Sequence, residues 1–295
     1  MYKEKLEKFY NEKHKKLLIV PLVLFVLCFL ILGYSLGTKG YILEKDVSLK
    51  GGVSATVYTS EVINEAELEA MFEGHDVSVR ELSDFSTSGL LGYIIEIADL
   101  TNDEVQPVLE EFFGFEFTSD NYSVQETGSS LGAAFFREMV YAILFAFLLM
   151  AVVVFIAFRK VVPSLAVILS ASLDLLGALA FVSLFEIKIS SAGIAAFLLV
   201  LGYSIDTDVL LTTKVLKRKE GTIFERTFNA MKTGLTMTVT TIAALSVAFL
   251  LSNSLVLKEM FIIIIFALFV DIISTWLMNA PLLSWYVDKK NEKTV

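Results

Sequence analysis

The chain contains a single cysteine, Cys28, and only two histidines, His14 and His75. One thiol excludes an intrachain disulfide, and two imidazoles far apart in sequence cannot build a His/Cys metal cluster. No G-x-x-x-x-G-K-[ST] phosphate loop and no nucleophile–base pair is found, so enzymatic catalysis has no candidate residues and no cofactor is expected. Charge is scarce as well: 19% of residues are charged, where a soluble domain carries about a quarter. What fills the chain instead is apolar, 55% of residues with a mean hydropathy of +0.68. Much of it must be solvated by lipid.

A helix crossing a hydrocarbon core of roughly 30 Å needs about 20 apolar residues. Runs of that kind occur near 17–36, 138–158, 162–185, 190–213, 233–253 and 259–285. The first follows Lys13, Lys15 and Lys16, exceeds a signal-peptide core and has no A-x-A site after it, so it reads as a retained anchor. The segment before it spaces Tyr2, Leu6, Phe9 and Tyr10 helically among lysines. It reads either as a short helix on an anionic leaflet or as a solvated tail. With the N-terminus inside, segments 1–16, 159–160, 214–232 and 286–295 hold 17 of the 24 Lys and Arg. The positive-inside rule then places both termini in the cytoplasm of a multi-pass cell-membrane protein and residues 38–137 outside it. His14 and His75 fall on opposite faces in that topology.

Residues 38–137 carry 19 Asp and Glu against 5 Lys and Arg. An external face so acidic repels phosphates and argues against nucleic acid. Within it, periodicity predicts strands at Val47–Thr59, Val77–Leu82, Leu91–Ile97 and Tyr122–Glu126, with helices at Glu61–Phe72 and Thr101–Phe113. Thr101-x-x-Glu104 is a capping box, although Pro107 lies deep for that start. The order βαββαβ implies an α+β, ferredoxin-like domain between the first and second membrane helices. Gly51-Gly52 interrupts the first predicted strand, by a bulge or bend or by the close approach of another backbone. Ser83–Gly92, with Thr87, Ser88 and Gly89, reads as a hairpin loop. The expected division is a cytoplasmic segment 1–16, membrane helix 17–36, external domain 38–130, a five-helix remainder 131–287 and a cytoplasmic tail 288–295.

The informative residues of the spans are charged, because a charge at the bilayer centre costs about 3 kcal/mol or more unless paired or wetted. Asp174 lies about mid-membrane in the third span, Asp206 and Asp208 near the inner end of the fourth, and Asp271 near the middle of the sixth. Asp174 is either a carboxyl that loads and releases protons or a protonated group bonded to a neighbouring helix. No span holds a midplane Lys or Arg to neutralise it. Asp206 and Asp208 approach Lys214, Lys217 and Arg218 and read equally as proton-titrating carboxylates and as interfacial ion-pair or capping residues, whereas Asp271 reads as a packed, protonated carboxyl. Ser191, Ala192, Ala195 and Ala196, and the threonine row Thr233, Thr236 and Thr240, read mainly as close helix packing within the bundle.

Gly202-Tyr203-Ser204-Ile205 followed by two carboxylates, Asp174 one helix earlier, and the Phe158-Arg159-Lys160 turn together resemble the SecF side of the SecD/SecF family. Lys50-Gly51-Gly52, Gly128-Ser129-Ser130-Leu131-Gly132 and Thr233-Gly234-Leu235-Thr236 extend the resemblance along nearly the whole chain. It implies a six-span half of a resistance-nodulation-division-like fold that pairs with SecD, binds Sec channel subunits and draws translocating polypeptides outward using the proton gradient. On that basis Asp174, with Asp206 and Asp208, are proton-coupling candidates, and Gly202, Tyr203 and Ser204 shape Asp174's surroundings. Asp206-Thr207-Asp208 departs from the bacterial Asn-Asp-Thr, which suggests an archaeal version. Alternatives are a stand-alone exporter of lipid or small molecules and a non-catalytic scaffold for SecD. Membrane lipid is a partner in every case.

Overall fold

A computed structural model describes residues 16–83, 89–217, 221–252 and 254–292. The N-terminal segment with Tyr2, Leu6, Phe9, Tyr10 and His14, the hairpin residues Thr87 and Ser88, and Arg218 lie outside the described residues. The helix α1 spans Ile19–Lys39 and leads through α2, Val47–Lys50, into a small domain. Its elements are β1 (Gly52–Tyr58), α3 (Glu65–Met71), β2 (Val77–Ser83), β3 (Leu90–Ala98), α4 (Asn102–Phe113) and β4 (Tyr122–Thr127). There follow α5 (Ser129–Phe158), α6 (Val161–Leu184), α7 (Ser191–Lys217), α8 (Ile223–Leu251), α9 (Leu255–Ser274), a π-helical turn Thr275–Asn279, and α10 (Ala280–Glu292). Among the described residues six helices are long and apolar enough to cross a membrane, the last running through the π turn from Leu255 to Lys289.

The sheet is antiparallel in the order β2-β3-β1-β4, so the strands of each β-α-β unit are separated by a strand of the other. Alternation along β1 turns Val53, Ala55 and Val57 to the face that Ile95 and Ile97 share, and Leu68 of α3 with Val105 and Leu109 of α4 close over it. Both helices therefore cover one face. Entry to α4 is fixed by the capping box, with the Thr101 N–H donating to Glu104 Oε2 at 2.9 Å. Pro107 is accommodated inside that helix.

The first predicted strand is corrected. Val47–Lys50 is a helical turn, because Asp46 accepts the Ser48 N–H at 3.0 Å and so caps it, and the strand begins only at Gly52. Gly51 and Gly52, at φ +96° and +137°, make the bend between them. A Cβ on Gly51 would fall on the Ser129 backbone at the start of α5, and one on Gly52 on the Ile97 carbonyl oxygen of β3. The bend and the close approach are thus one feature, and the approaching backbone belongs to this chain.

The domain sits on the bundle through this junction. Asp46 N–H donates to the Ile189 carbonyl at 3.0 Å and Ile189 N–H to Glu44 at 2.7 Å, tying the chain before α2 to the α6–α7 loop. Ser191 N–H, opening α7, donates to Ser48 Oγ at 3.1 Å, and Lys188 lies 3.6 Å from both Glu44 and Asp76. Beneath it, Ala178, Val182, Ile194, Phe197, Val200, Ile263, Ile264 and Ala267 form the core where α6, α7 and α9 meet. The outer helices differ. α5 buries only Gly132, Val154 and Phe158, and Thr233, Thr236 and Thr240 of α8 are exposed, each hydroxyl donating to a carbonyl of its own helix. Thr233 also accepts from Lys214 Nζ of α7 at 2.9 Å and so links two helices, whereas the exposed Thr236 and Thr240 correct the reading of the row as internal packing; of Ser191, Ala192, Ala195 and Ala196, only Ala196 is fully buried.

Candidate functional site

Where α6, α7 and α9 converge, polar side chains replace the apolar core. On α7, Ser204, Thr207, Asp208 and Thr212 recur at helical spacing and are all buried. Asp271, Ser274 and Thr275 do the same at the end of α9, and the π turn carries Asn279 to that face. A π turn admits one extra residue per turn and re-aims the side chains after it. Asp174 joins them from the middle of α6.

The carboxyls are linked by hydroxyls. Asp174 receives the Ser204 hydroxyl on Oδ2 and the Ser274 hydroxyl on Oδ1, the latter at 2.6 Å. Asp271 receives Thr207 Oγ1 at 3.0 Å and Thr275 Oγ1 at 3.0 Å. Asp208 Oδ1 lies 2.6 Å from Asn279 Nδ2 and 3.1 Å from Thr275 Oγ1. Thr275 thus stands between Asp208 and Asp271, and Ser274 beside it reaches Asp174. Relative exposures of 1%, 0% and 1% for Asp174, Asp208 and Asp271 leave none of them open to solvent. Among the described residues no Lys, Arg or His forms an ion pair with any of the three. Hydroxyls and an amide can bond either protonation state of a carboxyl, because a hydroxyl both donates and accepts.

The structure brings Asp174, Asp208 and Ser204 together and leaves Asp206 exposed on another face of α7, with Gly202 and Tyr203. Gly202 and Tyr203 belong to the same continuous helix, but only Ser204 of that motif touches Asp174. Asp208 is engaged by Thr275 and Asn279 deep in the bundle, so the interfacial reading does not describe it. Asp271, read from the sequence as a packed, protonated carboxyl, shares hydroxyl partners with this cluster. The signal that could have found it is Asp271-x-x-Ser274-Thr275-x-x-x-Asn279, polar residues on one face of an apolar run. Among the described residues no group of three or more His, Cys, Asp or Glu is arranged to hold a metal ion.

The family of the protein export membrane proteins SecD/SecF, C-terminal, matches residues 108–289. The protein-export membrane protein SecF of Methanocaldococcus jannaschii is 36% identical over 96% of this chain and 99% of its own length. That of Pyrococcus furiosus is 33% identical over 99% and 97%. The crystal structure of SecDF, a translocon-associated membrane protein from Thermus, superposes with a TM-score of 0.70 at 19% identity, over 97% of this chain and 41% of that one. The chain therefore spans about two fifths of the SecDF polypeptide and nearly the full length of the SecF relatives. Fold and site together define a multi-pass membrane protein built on part of the SecDF architecture. More particularly, the chain belongs to the SecF branch of the SecD/SecF protein-export family.

Proposed function

We propose that this chain is an accessory subunit of Sec-dependent protein export that works beside a SecD chain and uses its buried carboxyls to couple polypeptide movement to the proton gradient. The observation that carries this is the cluster of Asp174, Asp208 and Asp271, held in the membrane bundle by hydroxyls and an amide with no cation. A buried acid without a counter-ion in a membrane span is costly to retain and marks a proton or ion path by default. The names of the relatives support the export setting, and the SecDF likeness supports SecD as partner. The relatives also support the archaeal reading. Sec channel subunits and the translocating polypeptide are the further partners of this role, and no catalytic step is assigned.

In this reading the sheet domain is a ferredoxin-like domain outside the membrane, supported by its βαββαβ order and its 2-3-1-4 strand order. Loop charge supports cytoplasmic termini. The exposed faces of α5, α7 and α8 supply surface for a second membrane unit. A stand-alone exporter is disfavoured because such pumps carry two sets of spans.

Asp174→Asn is the test, since it keeps the shape and removes the charge. The expected result is loss of proton-driven export with the SecD complex recovered intact. Loss of the complex itself would make the carboxyls assembly groups, and unchanged export would remove Asp174 from the coupling path.

A further inference from the structure

α5 is most deeply buried at its two ends. At one, Gly132 lies against the Leu49 and Gly51 backbone; at the other, Val154 and Phe158 pack with Val167 of α6. Between them no residue is fully buried, and Phe136, Met139 and Ile143 are only partly buried where they pack against the core of α6, α7 and α9, so α5 is packed loosely there. The gap nearest the sheet domain is a crevice of about 210 Å³ lined by Phe136, Ile143, Leu175, Leu179, Ile194 and Phe197 and roofed by Leu43. Its lining is wholly apolar. Water needs two to four polar partners to occupy a cavity, and this one offers none. A single flexible hydrocarbon chain fits both the size and the chemistry.

The rim adds a charge. Lys45 Nζ stands 3.7 Å from the centroid of the Phe136 ring, which itself lines the crevice. The Lys45 backbone is fixed there by its bridge to Ile189 in the α6–α7 loop, at the boundary between bundle and sheet domain. Among the described residues no carboxylate forms an ion pair with this ammonium. Its neighbour Glu44 is taken by Lys188.

We propose that the α5–α6–α7 crevice binds one acyl or isoprenoid chain of a membrane lipid whose anionic headgroup is held by Lys45. This assignment does not depend on the export reading. It adds a lipid wedge beside the partial side-chain packing of α5, and it makes the lipid part of the joint between the bundle and the sheet domain.

The test places a reporter in the crevice. Phe136→Trp keeps an aromatic ring under Lys45, and the full chain is reconstituted in nanodiscs of dioleoyl phosphatidylglycerol and phosphatidylcholine, one of the two with brominated chains that quench indole on contact. Emission of the wild-type chain, from Trp276 and Trp285, is subtracted. Brominated phosphatidylglycerol is expected to quench the introduced indole at roughly one fifth of the mole fraction that phosphatidylcholine needs, the preference one lysine near a membrane surface supplies. Lys45→Gln should abolish that preference and Lys45→Arg should keep it. Quenching that follows mole fraction alone would overturn the headgroup site. No quenching by either lipid would show the crevice closed or filled by protein, and would overturn the proposal entirely.

Discussion

Two buried acidic sites in this molecule are built in opposite ways. In the sheet domain, Glu96 of β3 is 7% exposed and paired with Arg80 of β2 across the sheet at 2.5 Å. Burial pushes its carboxyl above the ordinary value of 4.5, and the guanidinium opposes that shift. In the bundle, Asp174, Asp208 and Asp271 are at least as buried and are held only by hydroxyls and an amide. The domain compensates its charge where it lies, as a structural ion pair does. The bundle keeps three acids whose hydroxyl and amide partners can bond a carboxyl in either protonation state.

The comparison is broken most severely at the seat that joins the two regions. Gly51→Ala forces a side chain into positive φ and onto the Ser129 backbone, with an expected cost of about 3 kcal/mol from strain and overpacking together. Thermal unfolding of the whole chain in detergent checks this, and an unchanged midpoint would show the junction to be slack. Next is Arg80→Met, which strands Glu96. About 2 kcal/mol is expected, below the roughly 3–5 for a fully buried pair because Arg80 is 36% exposed. Removing both partners as Arg80→Met with Glu96→Leu should recover most of that loss.

In the bundle, Asp208→Ala leaves Asn279 Nδ2 without its acceptor and should cost about 2 kcal/mol, whereas Asp206→Ala on the exposed face should stay within about 0.5. Equal effects would erase the distinction drawn between the two aspartates. Asp271→Asn keeps shape and should cost no more than about 1 kcal/mol, since an amide oxygen in the place of Oδ1 can still accept both threonine hydroxyls.

The smallest effect is a pH dependence. Glu104 is held below its ordinary 4.5 by the Thr101 backbone N–H and then by the Thr101 hydroxyl. A depressed carboxylate stabilises the fold above the unfolded value and loses that contribution as the pH falls through the folded one. Glu104→Gln should therefore lower the midpoint at neutral pH, with the difference from wild type shrinking as the pH falls below 4.5. Glu96 has the opposite sign. Its raised value favours the folded state below pH 4.5, and that advantage is lost as the pH rises through the folded value.

The degree to which residues could be read in advance follows the same division. The spans, the strand and helix order and the Thr101 cap were legible because each is a local pattern. The helical turn at Val47–Lys50 was hidden because four residues leave no period, and only the Asp46 cap, made after folding, marks it. Asp174 and Asp208 stood out as charges within apolar runs. Asp271 stood out equally, but its membership depends on Thr207 of another helix.

Sequence by itself determined that this chain has six runs long and apolar enough to cross a membrane, carries a small acidic α+β domain and keeps carboxyls within apolar runs. Each follows from transfer free energy and backbone hydrogen bonding, which act over one turn or one strand. Tertiary structure alone decided which carboxyls share a site, since Asp206 and Asp208 are two residues apart and a helix turns about 200° between them. It alone also decided that a crevice lies between α5, α6 and α7, because a gap belongs to no single residue and depends on how closely three packed helices approach.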